Sequence, residues 1–311
     1  MGARMVASSS SSSVGFQLVS VTDPQGPPLE LGIWYPASAA TKRVRIGLIV
    51  QKLARNAPLI GSRLPLVAIS HGTVGSMGSH GDTALVLAEA GFIVAAPVHT
   101  GDNYVDQSDV GGPSWFVNRP RHISATIDYL LRSWPERDKI DAARIGLFGF
   151  SAGGFTSLIA IGGVPDLASI DDHCARTPEL ACRLWYPKDK TMPPPSAFIH
   201  DARITAAAIA APAFGFVFVP DGLKNVKVPV QLWGGSADIN VPTATNTGPV
   251  HTALGDKAEL HLVEGAGHLS FLTPEEAAAS PLICPDAEGF DREAFLRSFN
   301  AAVTEFFKSK L

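Results

Sequence analysis

The sequence predicts an α/β protein: a mostly parallel central sheet with helices on both faces. Three observations lead there. The runs at 65–70, 92–96, 144–148 and 228–233 are almost continuously apolar, as strands covered on both faces are. Helical patterns lie between these runs, and strict alternation of the two implies a doubly wound sheet with right-handed crossovers. A chain of 311 residues is also long enough for one such sheet and its helices without a second domain.

The elements follow in order. Residues 15–21 and 29–35 are β-favouring runs separated by Asp23-Pro24-Gln25-Gly26-Pro27-Pro28, which reads as an antiparallel pair with a turn-rich connection. Residues 37–63 carry little pattern. A helix is predicted over 83–90, with Gly91 placed to stop it. A second is predicted over 119–134, where Ile123, Ile127, Leu130 and Leu131 share one face. A third is predicted over 155–161. Residues 162–203 interrupt the alternation with prolines, aspartates, Cys174 and Cys182; connections of this length are usually lids or binding loops. The last helix is predicted to start at Asp291, an N-cap type, with Phe295, Phe299, Val303 and Phe306 down one side. Residues 1–14, which include the serines from Ser8 to Ser13, read as a flexible leader. One domain is expected over 15–311, with 162–203 inserted in it.

Composition excludes several classes. With 46% hydrophobic and 17% charged residues the chain is not a disordered tail, a collagen-like rod or a coiled coil. Twenty-five lysines and arginines against 29 acids give a net charge of −4, which leaves no electrostatic footprint for nucleic acid or anionic membranes. The longest apolar stretch, 204–219, falls short of the roughly 20 residues of a membrane span and contains Pro212 and Gly215. The start has no apolar core of about 7–15 residues of the kind an export signal needs. The compartment stays open: cytoplasmic as the chain stands, exported had a signal been removed. Three cysteines make neither a disulfide scaffold nor a zinc site. Cys174 and Cys182 are near enough to bridge in an exported protein or to be two reduced, buried thiols; Cys284 is left over either way. No spacing suggests a metal site, and nothing calls for a cofactor. The expected partner is a small molecule, and no pattern speaks to oligomeric state.

The chemistry centres on Gly149-Phe150-Ser151-Ala152-Gly153-Gly154, between a predicted strand and a predicted helix. A serine at so sharp a turn needs small neighbours, and the turn lifts its hydroxyl above the sheet. A serine hydroxyl is a poor nucleophile until a base takes its proton, and the base must be held by an acid. In this chain order both partners follow the serine. Among the later histidines, His251 lies in a polar stretch and His261 within a predicted strand. His268 ends Gly265-Ala266-Gly267-His268 past that strand, at the edge where open α/β sheets place active sites. The acid is expected past another strand end: Asp238, after Gly234-Gly235-Ser236-Ala237, is the natural choice and Asp221 the rival. The oxyanion formed in acyl transfer needs donors already in place. Those expected are the backbone N–H groups of Ala152 and of Thr73, in the loop Ser70-His71-Gly72-Thr73-Val74-Gly75-Ser76. Val74, Met77, Trp115, Phe116, Leu269 and Phe271 lie near these loops as candidate pocket residues, with ordinary packing the competing reading.

Together these pieces resemble a serine hydrolase of the α/β-hydrolase superfamily. Within it the chain is similar to bacterial dienelactone-hydrolase-like and platelet-activating-factor-acetylhydrolase-like proteins. The runs Ile69-Ser70-His71-Gly72-Thr73, Pro97-Val98-His99-Thr100-Gly101-Asp102-Asn103, Phe148–Gly154 and Gly265–His268 carry the resemblance. It implies an α/β-hydrolase fold and hydrolysis of short-chain or small aromatic carboxylic esters through an acyl-enzyme; some related branches resemble cutinase-type polyester and phthalate-ester hydrolases. True dienelactone hydrolases use a cysteine nucleophile. This chain has Ser151, so the lactone substrate does not carry over. An amidase or peptidase with the same three residues, and a non-catalytic binding protein on the same fold, are the competing readings.

Overall fold

The computed structural model describes residues 13–185, 191–280, 282 and 284–311. The chain enters through β1 (Ser13–Val21), which pairs antiparallel with β2 (Leu29–Ala37) in a register running from Ser13 opposite Ala37 to Val21 opposite Leu29. Ser13 and Val14, assigned to the leader from sequence, are thus the first residues of a strand; the leader's other residues lie outside the described ones. The patternless stretch 37–63 holds a hairpin, β3 (Lys42–Ile46) and β4 (Ile49–Arg55). Val44, Ile46, Ile49 and Leu53 are buried there, but lysines and arginines between them mask the alternation.

The remaining strands are β5 (Leu64–Ser70), β6 (Ile93–Pro97), β7 (Ile140–Phe150), β8 (Ile204–Ala210), β9 (Val230–Gly235) and β10 (Ala258–Val263). All ten join in the order β10-β9-β8-β7-β5-β6-β2-β1-β4-β3. From β10 to β6 every pairing is parallel, and β2 runs antiparallel to β6. Strand β8, Ile-Thr-Ala-Ala-Ala-Ile-Ala, is the first half of the long apolar stretch; the second half turns back as a short 3-10 segment, Gly215–Phe218.

Side chains of each inner strand alternate between two cores, because successive Cβ atoms point to opposite faces. Leu66, Ala68, Ile145, Leu147, Ala207 and Ile209 meet α2 (Pro113–Arg132) and α3 (Ala152–Ala160) on one face. Val67, Ile69, Phe148, Phe150, Ala206 and Ala208 meet α1 (Gly81–Glu89) and α8 (Arg292–Lys310) on the other. Helix α2 starts six residues before the predicted position: Pro113 occupies its first turn and Pro120 lies inside it. Helix α8 is capped as expected, with Asp291 Oδ1 accepting from Ala294 N–H at 2.9 Å.

The insertion is not a bare loop. It forms α4 (Ser169–Arg176) and α5 (Leu180–Leu184), tied by a Cys174–Cys182 disulfide, which decides between the two cysteine states left open above. Leu180 N–H donates to Asn240 O, and the Glu179 carboxylate accepts from Thr245 Oγ1 at 2.6 Å. The insertion is thereby fastened beside the segment that follows β9. Helices α6 (Thr247–Leu254) and α7 (Pro274–Ala279) complete the chain. Among the described residues no helix is long and apolar enough to cross a membrane, and no group of three or more His, Cys, Asp or Glu could hold a metal ion.

Candidate active site

Strands β5, β7, β9 and β10 run parallel, so their carboxyl ends lie along one edge of the sheet, where open α/β sheets bind ligands. Ser151 follows β7 directly, with φ 56° and ψ −117°. A non-glycine residue held there stores on the order of 1–3 kcal/mol of backbone strain, which the surroundings must over-determine. Ser151 N–H donates to Ala210 O at 3.0 Å, and its carbonyl accepts from Phe155 N–H and Ala213 N–H, both at 3.1 Å. The flanking glycines are required by contact: a Cβ on Gly153 would lie 1.9 Å from Ser70 O, and one on Gly149 2.2 Å from Gly153 O.

His268 opens the short turn after β10. Its Nδ1 stands 2.7 Å from Asp238 Oδ2 and its Nε2 2.9 Å from Ser151 Oγ. A carboxylate can only accept, so Nδ1 carries the proton and Nε2 is left to accept from the serine hydroxyl. Asp238 Oδ1 accepts from Asn240 N–H at 3.0 Å and Val241 N–H at 2.8 Å, which fixes the carboxylate facing the imidazole. The β9 and β10 exits approach so closely that a Cβ on Gly235 would lie 2.2 Å from Ala266 O. The side chains of Asp238 and His268 are 0% and 1% exposed, and Ser151 is 7% exposed. The three residues expected to act together are therefore joined in one buried hydrogen-bonded chain. The rivals stand elsewhere. Asp221 is on an exposed turn, His251 lies in α6, and His261 on β10 stacks on Trp233 and bonds Glu259.

The loop after β5 carries Thr73. Among the described residues neither Thr73 N–H nor Ala152 N–H has an acceptor; Ala152 opens α3, where no carbonyl one turn earlier is available. Thr73 Oγ1 is likewise buried without a partner. The residues around Thr73 are tied down. His71 O accepts from the Arg119 guanidinium, Val74 N–H donates to Asp102 Oδ1 at 2.8 Å, and Gly75 O accepts from Tyr104 N–H.

Beneath this loop lies a polar network that sequence reasoning missed. His99 N–H donates to His71 Nε2 at 3.1 Å, so His71 Nδ1 holds the proton and donates to Gly72 O at 2.7 Å. His99 Nε2 meets Ser70 Oγ, and its Nδ1 meets His122. Burial, with the Arg119 charge alongside, lowers His71 to about 3. Burial, with Arg121 next and Asp23 opposing, lowers His122 to about 3. Burial holds His99 well below its ordinary value too. These rings are neutral structural parts. The available signal was an arginine and a histidine within the apolar face of α2, but a sequence does not say which acid will meet them.

No protein-family model matches the chain, and no curated protein matches it in sequence. A solved structure does: the ferulic acid esterase from Streptomyces cinnamoneus superposes with a TM-score of 0.66 over 98% of this chain and 91% of that one, at 16% identity. The chain has an α/β-hydrolase fold. At that identity the likeness is one of fold alone.

On this hydrolase fold the candidate pocket residues divide. Trp115, Phe116 and Phe271 are core residues, each no more than 2% exposed. Phe116 packs among Phe155, Trp185 and Phe214, Phe271 packs against Phe295 and Phe299, and the Trp115 indole N–H donates to Asp102. Being aromatic and near a loop in sequence did not separate lining from packing. Val74 and Leu269 adjoin Thr73 and His268 on the site loops, Val74 half-buried and Leu269 buried. Met77 is half-buried against the α1 side of the sheet.

Proposed function

We propose that the protein is a serine hydrolase of carboxylic esters, acting on short-chain or small aromatic esters through an acyl-enzyme. The observation that carries this reading is the buried chain from Asp238 through His268 to Ser151 Oγ, at a strained corner on the ligand-binding edge of the sheet. Ser151 Oγ attacks the ester carbonyl carbon as its proton passes to His268 Nε2. Asp238 keeps the imidazole in the Nδ1–H tautomer and steadies the imidazolium. The carbonyl oxygen becomes an oxyanion facing the unoccupied Thr73 and Ala152 N–H groups, donors present before charge develops. The tetrahedral adduct collapses, His268 gives its proton to the departing alcohol, and the acyl group stays on Ser151. Water then adds to the acyl carbon with His268 as base, releasing the acid and restoring the serine.

The likeness to a ferulic acid esterase supports ester chemistry on this fold, and the resemblance to dienelactone-hydrolase-like and platelet-activating-factor-acetylhydrolase-like proteins supports small acyl groups. The test is turnover of nitrophenyl esters graded in acyl length by wild type and Ser151→Ala, alongside labelling by a fluorophosphonate. Turnover and labelling that both vanish in the variant are expected. Equal turnover by the two proteins would remove Ser151 from the reaction.

A further inference from the structure

An oxyanion hole built from Thr73 and Ala152 takes its two donors from segments far apart in sequence, so something must hold their spacing. The loop around Thr73 is itself strained: Val74, a β-branched residue, sits at φ 64°, in a region that disfavours it. One buried ion pair touches every piece involved. Asp102 Oδ1 accepts from Val74 N–H on one side of Thr73, while the Arg119 guanidinium donates to His71 O on the other. Arg119 Nε donates to Thr156 Oγ1 at 3.0 Å, and that hydroxyl donates to Ala152 O at 2.8 Å, in the first turn after Ser151. Asp102 Oδ2 closes the pair by accepting from Arg119 and from the Trp115 indole. The side chains of Arg119 and Asp102 are 2% and 0% exposed.

We infer that the Asp102–Arg119 pair is the positioning element of the oxyanion hole, holding the Thr73 loop in register with the start of α3; this rests on the esterase reading above. A buried ion pair is a poor device for stability alone, since matched apolar groups often do as well. The guanidinium fork instead gives rigid, multiply directed bonds that an ammonium cannot reproduce. Arg119 spends three donors on three different segments, which is the pattern of a clamp. Neither residue touches the reacting atoms. Both act through the N–H groups whose spacing they set, and a misplacement of about 1 Å in such a site costs on the order of 100-fold in rate.

Two variants test this. Arg119→Lys keeps the charge beside Asp102 but loses the fork, and Thr156→Val removes only the tie to α3, leaving both charges in place. Each is measured for kcat and KM on a short nitrophenyl ester and for affinity toward a trifluoromethyl ketone, whose Ser151 adduct carries the oxyanion. Expected are a kcat lower by about 100-fold for Arg119→Lys and about tenfold for Thr156→Val, following the sensitivity above. KM should stay within about twofold, and ketone affinity should fall in parallel with kcat. A loss of packing alone would lower the melting temperature without this split. Should Arg119→Lys not fold, Thr156→Val decides. Folded variants whose kcat and ketone affinity match wild type overturn the inference, as does a loss confined to KM. Wild type inert to both esters and fluorophosphonate would instead overturn the esterase reading, and this inference with it.

Discussion

His268 and the cluster of His71, His99 and His122 are both buried, and they differ in how the groups around their rings are arranged. His268 faces a carboxylate and a serine hydroxyl, with Ser151 at the sheet edge. His71, His99 and His122 face one another, backbone groups, the Ser70 hydroxyl and two arginines, with the Asp23 carboxylate 3.5 Å from His122. Burial therefore does not separate them. The difference is the arrangement of partners: Asp238 Oδ2 at Nδ1 and Ser151 Oγ at Nε2 bracket the His268 ring, whereas the Arg119 and Arg121 charges oppose protonation of His71 and His122. One arrangement is suited to passing a proton and the other to bearing load while neutral.

The comparison can be broken in several ways. The largest effect is expected from Ser151→Ala, which should lower kcat toward nitrophenyl esters by about 10⁴-fold or more while leaving the melting temperature near wild type; a steady-state assay with a parallel thermal melt checks both. Asp238→Asn should cost about 10⁴-fold, because the amide admits the wrong imidazole tautomer. Steady-state kinetics on the same nitrophenyl esters check it.

The neutral histidines give a stability signature instead. His71, His80 and His122 have folded values of about 3 against an ordinary 6.5, so the unfolded chain binds more protons below pH 6.5. Their contribution is complete above pH 6.5 and is lost as pH falls toward 3. Unfolding free energy should therefore fall as pH drops through that window, each histidine adding to the slope. Urea melts from pH 6 to 4.5 measure it. His80 is buried against Phe148 and Phe150, so His80→Leu should flatten the slope by one histidine's share without changing kcat at pH 7.5. A smaller effect is expected from reducing the Cys174–Cys182 bridge, whose partners are 8 residues apart. Closing so short a loop is worth about 2.5 kcal/mol, and a melt with and without reductant should show a shift of a few degrees.

Legibility followed from how local each constraint is. The buried parallel strands show because both of their faces are covered, and the corner at Ser151 shows because only glycine fits at 149 and 153. The β3–β4 hairpin does not show, because an edge hairpin exposes every other residue and its arginines and lysines hide the pattern. Helix α2 is misplaced at its start because its prediction rested on the apolar face from Ile123 to Leu131, and the helix begins well before that face, at Pro113. The order of Ser151, Asp238 and His268 along the chain narrows the candidates. Rejecting Asp221 takes the exposed position of that residue and the 2.7 Å contact of Asp238.

By itself the sequence determined the architecture and the sharp turn at Ser151, since strand burial and tight backbone contacts write themselves into neighbouring residues. Tertiary structure alone decided that Arg119 meets Asp102, that His71 is neutral, and that Trp115, Phe116 and Phe271 belong to the core. Those outcomes depend on which distant groups share a space closed to water, where a charge or a ring takes its meaning from its neighbours.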